Sequence, residues 1–306
     1  MNGARLGAMD LACALAAVVI WGLNFVVMKV GLRGLDPMLL GALRFMVAAL
    51  PFVLVLRRPA LPWRYLALYG LSQGLGQFGF LFLGLQLGMT AGMASVVMQA
   101  QVFFSLLLAW PLLGERAHAS QWLGLAVAMA GLLLIATAHG QGPGSMTLAG
   151  FVLTLAAAFM WAVSNIVARR ASQAGAYDPL AFIAWSGLFP IAPFLALATW
   201  RGDGPARVLE QVAGLSLSGA FSVLYLALLA TLLAYSLWTR LLQRHPAASV
   251  APFSLLVPVV GLWAAWFFFD ERPLPLQWLG TALVLAGLLV NQAAAWWRQR
   301  RMAAPA

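Results

Sequence analysis

Ten apolar stretches of about twenty residues follow one another along this 306-residue chain, broken only by short runs that carry Gly, Pro or charge. They fall at 10–31, 37–56, 65–86, 91–113, 121–138, 147–168, 180–200, 214–238, 247–269 and 275–297. At a rise of about 1.5 Å per residue, each can cross the hydrocarbon core of a bilayer as a helix. The longest interval between them is about a dozen residues, too short to hold a soluble domain. Whatever the chain does, it does inside a bundle of membrane helices.

Composition agrees. Only 8% of the residues are charged and 63% are hydrophobic, whereas a soluble domain carries roughly 25% charged residues to cover its surface. The net charge of +10 does not point to nucleic acid, because the arginines lie between apolar stretches and not in a basic, aromatic-bearing segment. No small-residue cleavage signal follows the opening MNGARLGAMD, so the first stretch reads as a retained helix. A single cysteine, Cys13, excludes an internal disulfide and a multi-cysteine metal site.

Counting cations by loop fixes an expected orientation. Arg5, Arg57, Arg58, Arg64, Arg116, Arg169, Arg170, Arg240, Arg244, Arg298, Arg300 and Arg301 fall on the side of the amino terminus, against Arg33, Arg201, Arg207 and Arg272 on the other. Twelve against four places both termini in the cytoplasm and requires an even number of spans.

The chain also repeats itself. Glu115, Arg116, Gln121, Trp122, Leu123, Gly124, Ala130 and Gly131 each recur 156 positions later, within GERAHASQWLGLAVAMAGLLL and DERPLPLQWLGTALVLAGLLV. Ala94-Ser95-Val96 matches Ala248-Ser249-Val250, and Trp21 matches Trp161. The unit is five helices, so two units are expected, 1–141 and 142–306. An odd number of spans inverts the second unit and relates the halves by a pseudo-twofold axis in the membrane plane. The fold class expected is therefore an all-α polytopic membrane protein of ten transmembrane helices, two inverted five-helix repeats around a central cavity.

WGLNFVVMKVGL from Trp21, ALRFMVAALP from Ala42, the GER and DER helix ends with their QWLG continuations, and SLLVPVVGL from Ser254 together resemble the EamA family of the drug/metabolite transporter superfamily. Within it, WGLNFVV and VVMQAQVFF from Val96 resemble exporters of O-acetylserine and cysteine. The resemblance covers nearly the whole chain. It implies a ten-helix basket in the bacterial inner membrane, a cavity lined mainly by helices 1, 3, 4, 6, 8 and 9, and export of amino acids or their derivatives by alternating access. A broader-specificity drug or metabolite transporter is the alternative within that class, and a receptor or scaffold that moves no solute is the alternative outside it.

The candidate substrate-binding residues are the polar and indole groups inside spans, since such groups avoid lipid. On helix 1, Trp21, Asn24 and Met28 share a face, and Trp161, Ser164 and Asn165 give helix 6 a similar one. Gln73 and Gln77 make a polar stripe on helix 3, and Ser95 and Gln99 make one on helix 4. Gln101 lies about 200° around the helix from Gln99 and is not expected to join that stripe. Lys29 and Arg44 are the cations within spans, and all eight acids lie in loops or at helix ends. With no acidic partner inside a span, Lys29 either snorkels or serves a substrate carboxylate, while Arg44 leans to a structural role.

Enzyme chemistry finds no footing. His118, His139 and His245 lie in loops, membrane aspartates are missing, and no Walker sequence occurs. No cofactor or metal is expected. The expected partners are a small-molecule substrate and the lipid bilayer, not nucleic acid, and a homodimer is compatible with the chain. A reporter active only outside the cytoplasmic membrane, fused after Ala306, should stay silent; strong activity there would overturn the orientation.

Overall fold

In the computed structural model, residues 7–114, 118–138, 145–202, 204–245 and 247–303 are described, and among them every element is helical. Arg5, Glu115, Arg116, His139 and Asp203 lie outside the described residues, as does the expected 141/142 boundary. Nine described helices are long and apolar enough to cross a membrane: Ala8–Gly31, Trp63–Gln86, Ala91–Leu113, Ala119–Thr137, Leu148–Ala174, Pro179–Arg201, Leu217–Leu241, Pro252–Phe269 and Pro275–Ala293. Pro37–Val53, at 17 residues, is the short tenth, still within the length that spans a bilayer. These are spans 1 to 10 in chain order once Pro37–Val53 takes second place.

Local chemistry sets where the spans begin. Asp36 and Asp178 are followed by Pro37 and Pro179, and each aspartate caps its helix. Asp36 Oδ1 accepts from the Met38 amide at 2.8 Å, and Asp178 Oδ1 from the Ala181 amide at 2.7 Å. An acceptor at the cap and a proline in the first turn, which has no amide hydrogen to lose, start a helix sharply. This Asp-Pro pair opens span 2 of one half and span 7 of the other. Gln121 and Gln277, both part of the repeat, likewise accept from the His118 and Leu274 amides at 2.9 Å each.

Ends repeat as well as beginnings. Span 4 stops at Gly114 (φ 69°) and span 9 at Asp270 (φ 50°), the first residues of GER and DER. Both occupy the left-handed region, open to Gly and tolerated by Asp.

The halves meet most closely where span 5 crosses span 10. A Cβ added to Gly124 would sit 2.6 Å from the Gly287 carbonyl oxygen, and one added to Gly131 would sit 2.5 Å from that of Gly280. The reciprocal distances are 2.4 and 2.6 Å. Each glycine faces the repeat mate of the other pair, as a twofold axis between antiparallel helices requires. Without such small residues the backbones could not approach so far.

Four helix irregularities fall at matching places. Span 3 is π-helical over Gly70–Phe78 and span 8 over Tyr225–Leu233, while span 4 tightens to 3-10 geometry at Met98–Ala100 and span 9 at Ala251–Leu255. In span 9 Pro252 removes an amide donor at that place. Span 7 breaks at 187–190, ahead of Pro190 and Pro193.

Between spans 7 and 8, where the sequence suggests only a connection, Pro205–Ala213 forms a nine-residue helix with no buried residue. It is too short for its periodicity to stand out. Gln211 ties it to the bundle by accepting from the Asp36 amide at 2.9 Å.

Filling the glycine crossing should be costly. Gly287→Leu is expected to lower the unfolding midpoint in detergent by an amount corresponding to about 1–3 kcal/mol of overpacking. Gly34→Ala, with nothing within 4 Å of the added carbon, should stay within about 0.5 kcal/mol of the parent. Equal midpoints for the two variants would contradict the close crossing.

Candidate functional site

A cavity of about 470 Å³ occupies the centre of the bundle, within the range of small-molecule sites. Its wall draws on spans 1, 3, 4, 6, 8 and 9, with Arg44 added from span 2 and Gln292 from span 10.

Seven of the ten candidate residues line it: Trp21, Asn24, Gln77, Ser95, Gln99, Trp161 and Asn165. Two more stand directly behind the wall. Gln73 Nε2 donates to the hydroxyl of Tyr235, a lining residue, at 2.6 Å, and Ser164 Oγ donates to Gln73 Oε1. The π-helical stretch of span 3 carries both Gln73 and Gln77. A widened turn breaks the regular advance of side chains, and such turns collect at functional sites.

The indole of Trp21 is fixed by donation from Nε1 to the Ala230 carbonyl at 3.1 Å. Its ring meets Tyr235 at 5.1 Å and Trp238 at 5.4 Å, edge-on or tilted, so the aromatic wall is built between spans 1 and 8. Trp161, on the similar face of span 6, is not among the described ring contacts of Trp21. Periodicity places residues on faces but does not say which helices become neighbours.

Gln101 also lines the cavity, although the sequence does not place it on the Gln99 stripe. Gln99 lies within the 3-10 turn Met98–Ala100, directly ahead of Gln101, and the turn departs from the 100° steps on which that expectation stands. Gln101 Oε1 accepts from Asn165 Nδ2 at 2.8 Å, and Gln99 Nε2 donates to the Ser254 carbonyl at 3.3 Å.

Lys29 requires the larger correction. It does not line the cavity, and it has an acidic partner: Nζ lies 2.6 Å from Glu271 Oε1. Glu271 sits in the connection after span 9, yet it is only 6% exposed. Its Oε1 also accepts from the Ala91 amide at 3.1 Å, and its Oε2 from the Gly92 amide at 3.0 Å. These are orphan donors at the start of span 4, where the helix dipole favours an anion. Lys29, in the last turn of span 1, complements the opposite dipole end. A carboxylate with three donors is well satisfied despite its burial. In the sequence an acid after a helix end looks solvated. The recurrence of Glu in GER and DER was the available signal.

Arg44 is the cation that does reach the cavity. It is 1% exposed, and its Nε and Nη2 donate to Thr231 Oγ1 at 3.0 and 2.8 Å. Thr231 belongs to the π-helical stretch of span 8 and itself donates to the Leu226 carbonyl, five residues back, at 2.8 Å. The guanidinium carbon lies 3.6 Å from the centroid of Phe78, at the end of the π-helical stretch of span 3. The two symmetric irregularities thus converge on one arginine. A charge at the middle of a helix costs about 2.5–3.5 kcal/mol on insertion scales, and a desolvated cation–π contact returns about 2. Arg44 is thus held within the fold, as the structural reading expects, and it also stands in the cavity wall.

The cavity extends toward one end of the bundle. Trp238 and Thr239 lie in the last turn of span 8 before Leu241, Gln292 lies at the end of span 10, and Ser254 lies near the start of span 9. By the alternation of spans all three places are on the side of the amino terminus. Lys29, Glu271, Ala91 and Gly92 lie toward the opposite side.

Comparison with known proteins accords with this architecture. The EamA-like transporter family matches twice, over residues 9–137 and 148–292. A protein of Escherichia coli (strain K12) named "Probable amino-acid metabolite efflux pump" is 42% identical over 291 residues, covering 95% of this chain and 97% of that one. One of Streptantibioticus cattleyicolor, named "Probable terminal-alkyne amino-acid exporter", is 29% identical over 94% of this chain and 95% of its own. A protein of known crystal structure, 20% identical, superposes over 97% of this chain and 99% of its own with a TM-score of 0.59, a likeness of fold. With both halves matched and the inverted bundle in place, this chain belongs to the EamA-like transporter family.

Proposed function

We propose that the protein exports amino acids or close derivatives, cysteine and O-acetylserine among them, across the bacterial inner membrane by alternating access, with both termini in the cytoplasm. The observation that carries this reading is the central cavity, walled by both halves, with Lys29 and Glu271 paired on the side away from the termini. In that orientation the cavity takes solute from the cytoplasm. Lys29 belongs to the first half and Glu271 to the second, so rocking the halves about the glycine crossing would part this pair as the other face closes. The names carried by the relatives from Escherichia coli and Streptantibioticus cattleyicolor support an amino-acid cargo.

Movement down the solute's own gradient is the favoured energetic mode. Among the described residues the cavity wall has no Asp or Glu, the usual intramembrane proton carriers. An accumulating metabolite supplies its own outward driving force. Proteoliposomes loaded with labelled amino acids should release them with no ion gradient, and an imposed pH difference of either sign should not drive accumulation. Uphill movement that appears only with the pH difference would refute the passive mode, and no movement of any amino acid would refute export of this class.

The closing pair makes a separate demand. Glu271→Gln removes the anion that joins Lys29 to the start of span 4. In a Cys13→Ser background, a cysteine at Ala94 should then react about tenfold faster with an impermeant thiol reagent added outside, equivalent to about 1.4 kcal/mol of bias toward the open face. An unchanged labelling rate would remove Lys29 and Glu271 from the gate.

A further inference from the structure

The wall of the cavity contains three buried side chains that each keep a polar atom without a partner. Arg44 Nη1 is a charged donor, and Asn24 Oδ1 and Gln77 Oε1 are acceptors. Two of the three are held through their other atoms. Arg44 is fixed through Nε and Nη2 by Thr231, and Asn24 Nδ2 reaches Met28 Sδ at 3.9 Å. Among the described residues no carboxylate pairs with Arg44, in contrast to Lys29 with Glu271.

Buried polar atoms left open are uncommon, and each asks for a reason. Here the reasons form a set. A guanidinium keeps its charge and presents donors in a fixed fork that suits a carboxylate. Two amide oxygens, which can only accept, suit an ammonium group. An α-amino acid carries that anion and that cation on one carbon. Trp21, Tyr235 and Trp238 supply an apolar side for the remainder of the molecule. The fixing of Arg44 by Thr231 matters because a cation already held in place loses little freedom when the anion arrives.

We propose that the cavity selects zwitterions, with Arg44 as the receptor of the substrate carboxylate and Asn24 and Gln77 as acceptors for its ammonium. Thr231 is then a positioning residue. This assignment rests on the amino-acid export reading and says which part of the solute is recognised. It moves the carboxylate-binding role from Lys29, whose charge Glu271 already answers, to a residue 15 positions further along the chain.

The test uses purified full-length protein in proteoliposomes. A panel of labelled L-amino acids and O-acetylserine identifies the solute carried fastest, and unlabelled analogues then compete with it: the same compound as its carboxamide, as the decarboxylated amine and as the N-acetyl derivative. The parent acid should compete at least thirtyfold better than the carboxamide or the amine, and better than the N-acetyl form. Arg44→Gln should lower uptake of the acid at least thirtyfold while abolishing its preference over the carboxamide, and Arg44→Lys should restore part of both. Thr231→Val should weaken the preference without reversing it. Because Arg44 is buried, the analogue series on the parent protein decides the matter even where a variant does not fold. Equal competition by acid and carboxamide on the parent protein, with the acid still carried, would overturn this assignment and leave the export reading standing. Transport of none of the panel would overturn the export reading and this assignment with it.

Discussion

Inside a bilayer no water is at hand to satisfy a polar group, and the arrangement of this protein follows from that constraint. Regular helices bond their own backbones, so the lipid-facing surface is left to Leu, Val, Phe and Trp. Departures from regular geometry are tolerable only where protein or a cavity receives the freed groups. The π-helical and 3-10 stretches obey this rule: each contributes residues to the wall of the central cavity, through Gln77 and Phe78, Ala230, Met98 and Gln99, and Ser254. Irregular backbone here is the means by which long amides and one guanidinium gather in a small volume.

The same constraint separates the two intramembrane cations. Lys29 is answered within the fold by a carboxylate that also holds the start of a helix. Arg44 is answered only in part, by a hydroxyl and an aromatic face. A satisfied ion pair serves closure, because separating it costs energy that must be recovered elsewhere in a cycle. An incompletely satisfied cation serves recognition, because a solute can complete it.

Most of the architecture is legible in the sequence because a bilayer imposes length and apolarity on every span and charge on the loops. Nine of the cavity's polar and aromatic residues or their immediate supports could be picked out by asking which groups would not face lipid. What could not be read is of one kind. Gln101 joins Gln99 through a local change of helical pitch, and no periodicity announces such a change. Glu271 turns back into the bundle from a connection, and hydropathy treats every acid outside a span alike. The partner of Trp21 proved to be Tyr235 and Trp238 because neighbourhood between spans depends on how the halves dock. The amphipathic segment Pro205–Ala213 is shorter than the window in which helical periodicity can be recognised.

The glycine crossing of spans 5 and 10 is self-complementary: the same small-residue face, taken twice and inverted, fits itself. Such a contact is what two separate copies of a five-helix unit would use to pair as an antiparallel dimer. A true dimer, however, would have to carry every residue in duplicate, including any charge near its axis. In this chain the aspartate-proline helix starts align position 44 with position 186, an arginine in one half and a serine in the other. Two halves within one polypeptide are free of that obligation. A lone guanidinium can therefore stand in the cavity without facing its own image, and an inward-looking site built by symmetry can still distinguish the two ends of an asymmetric molecule.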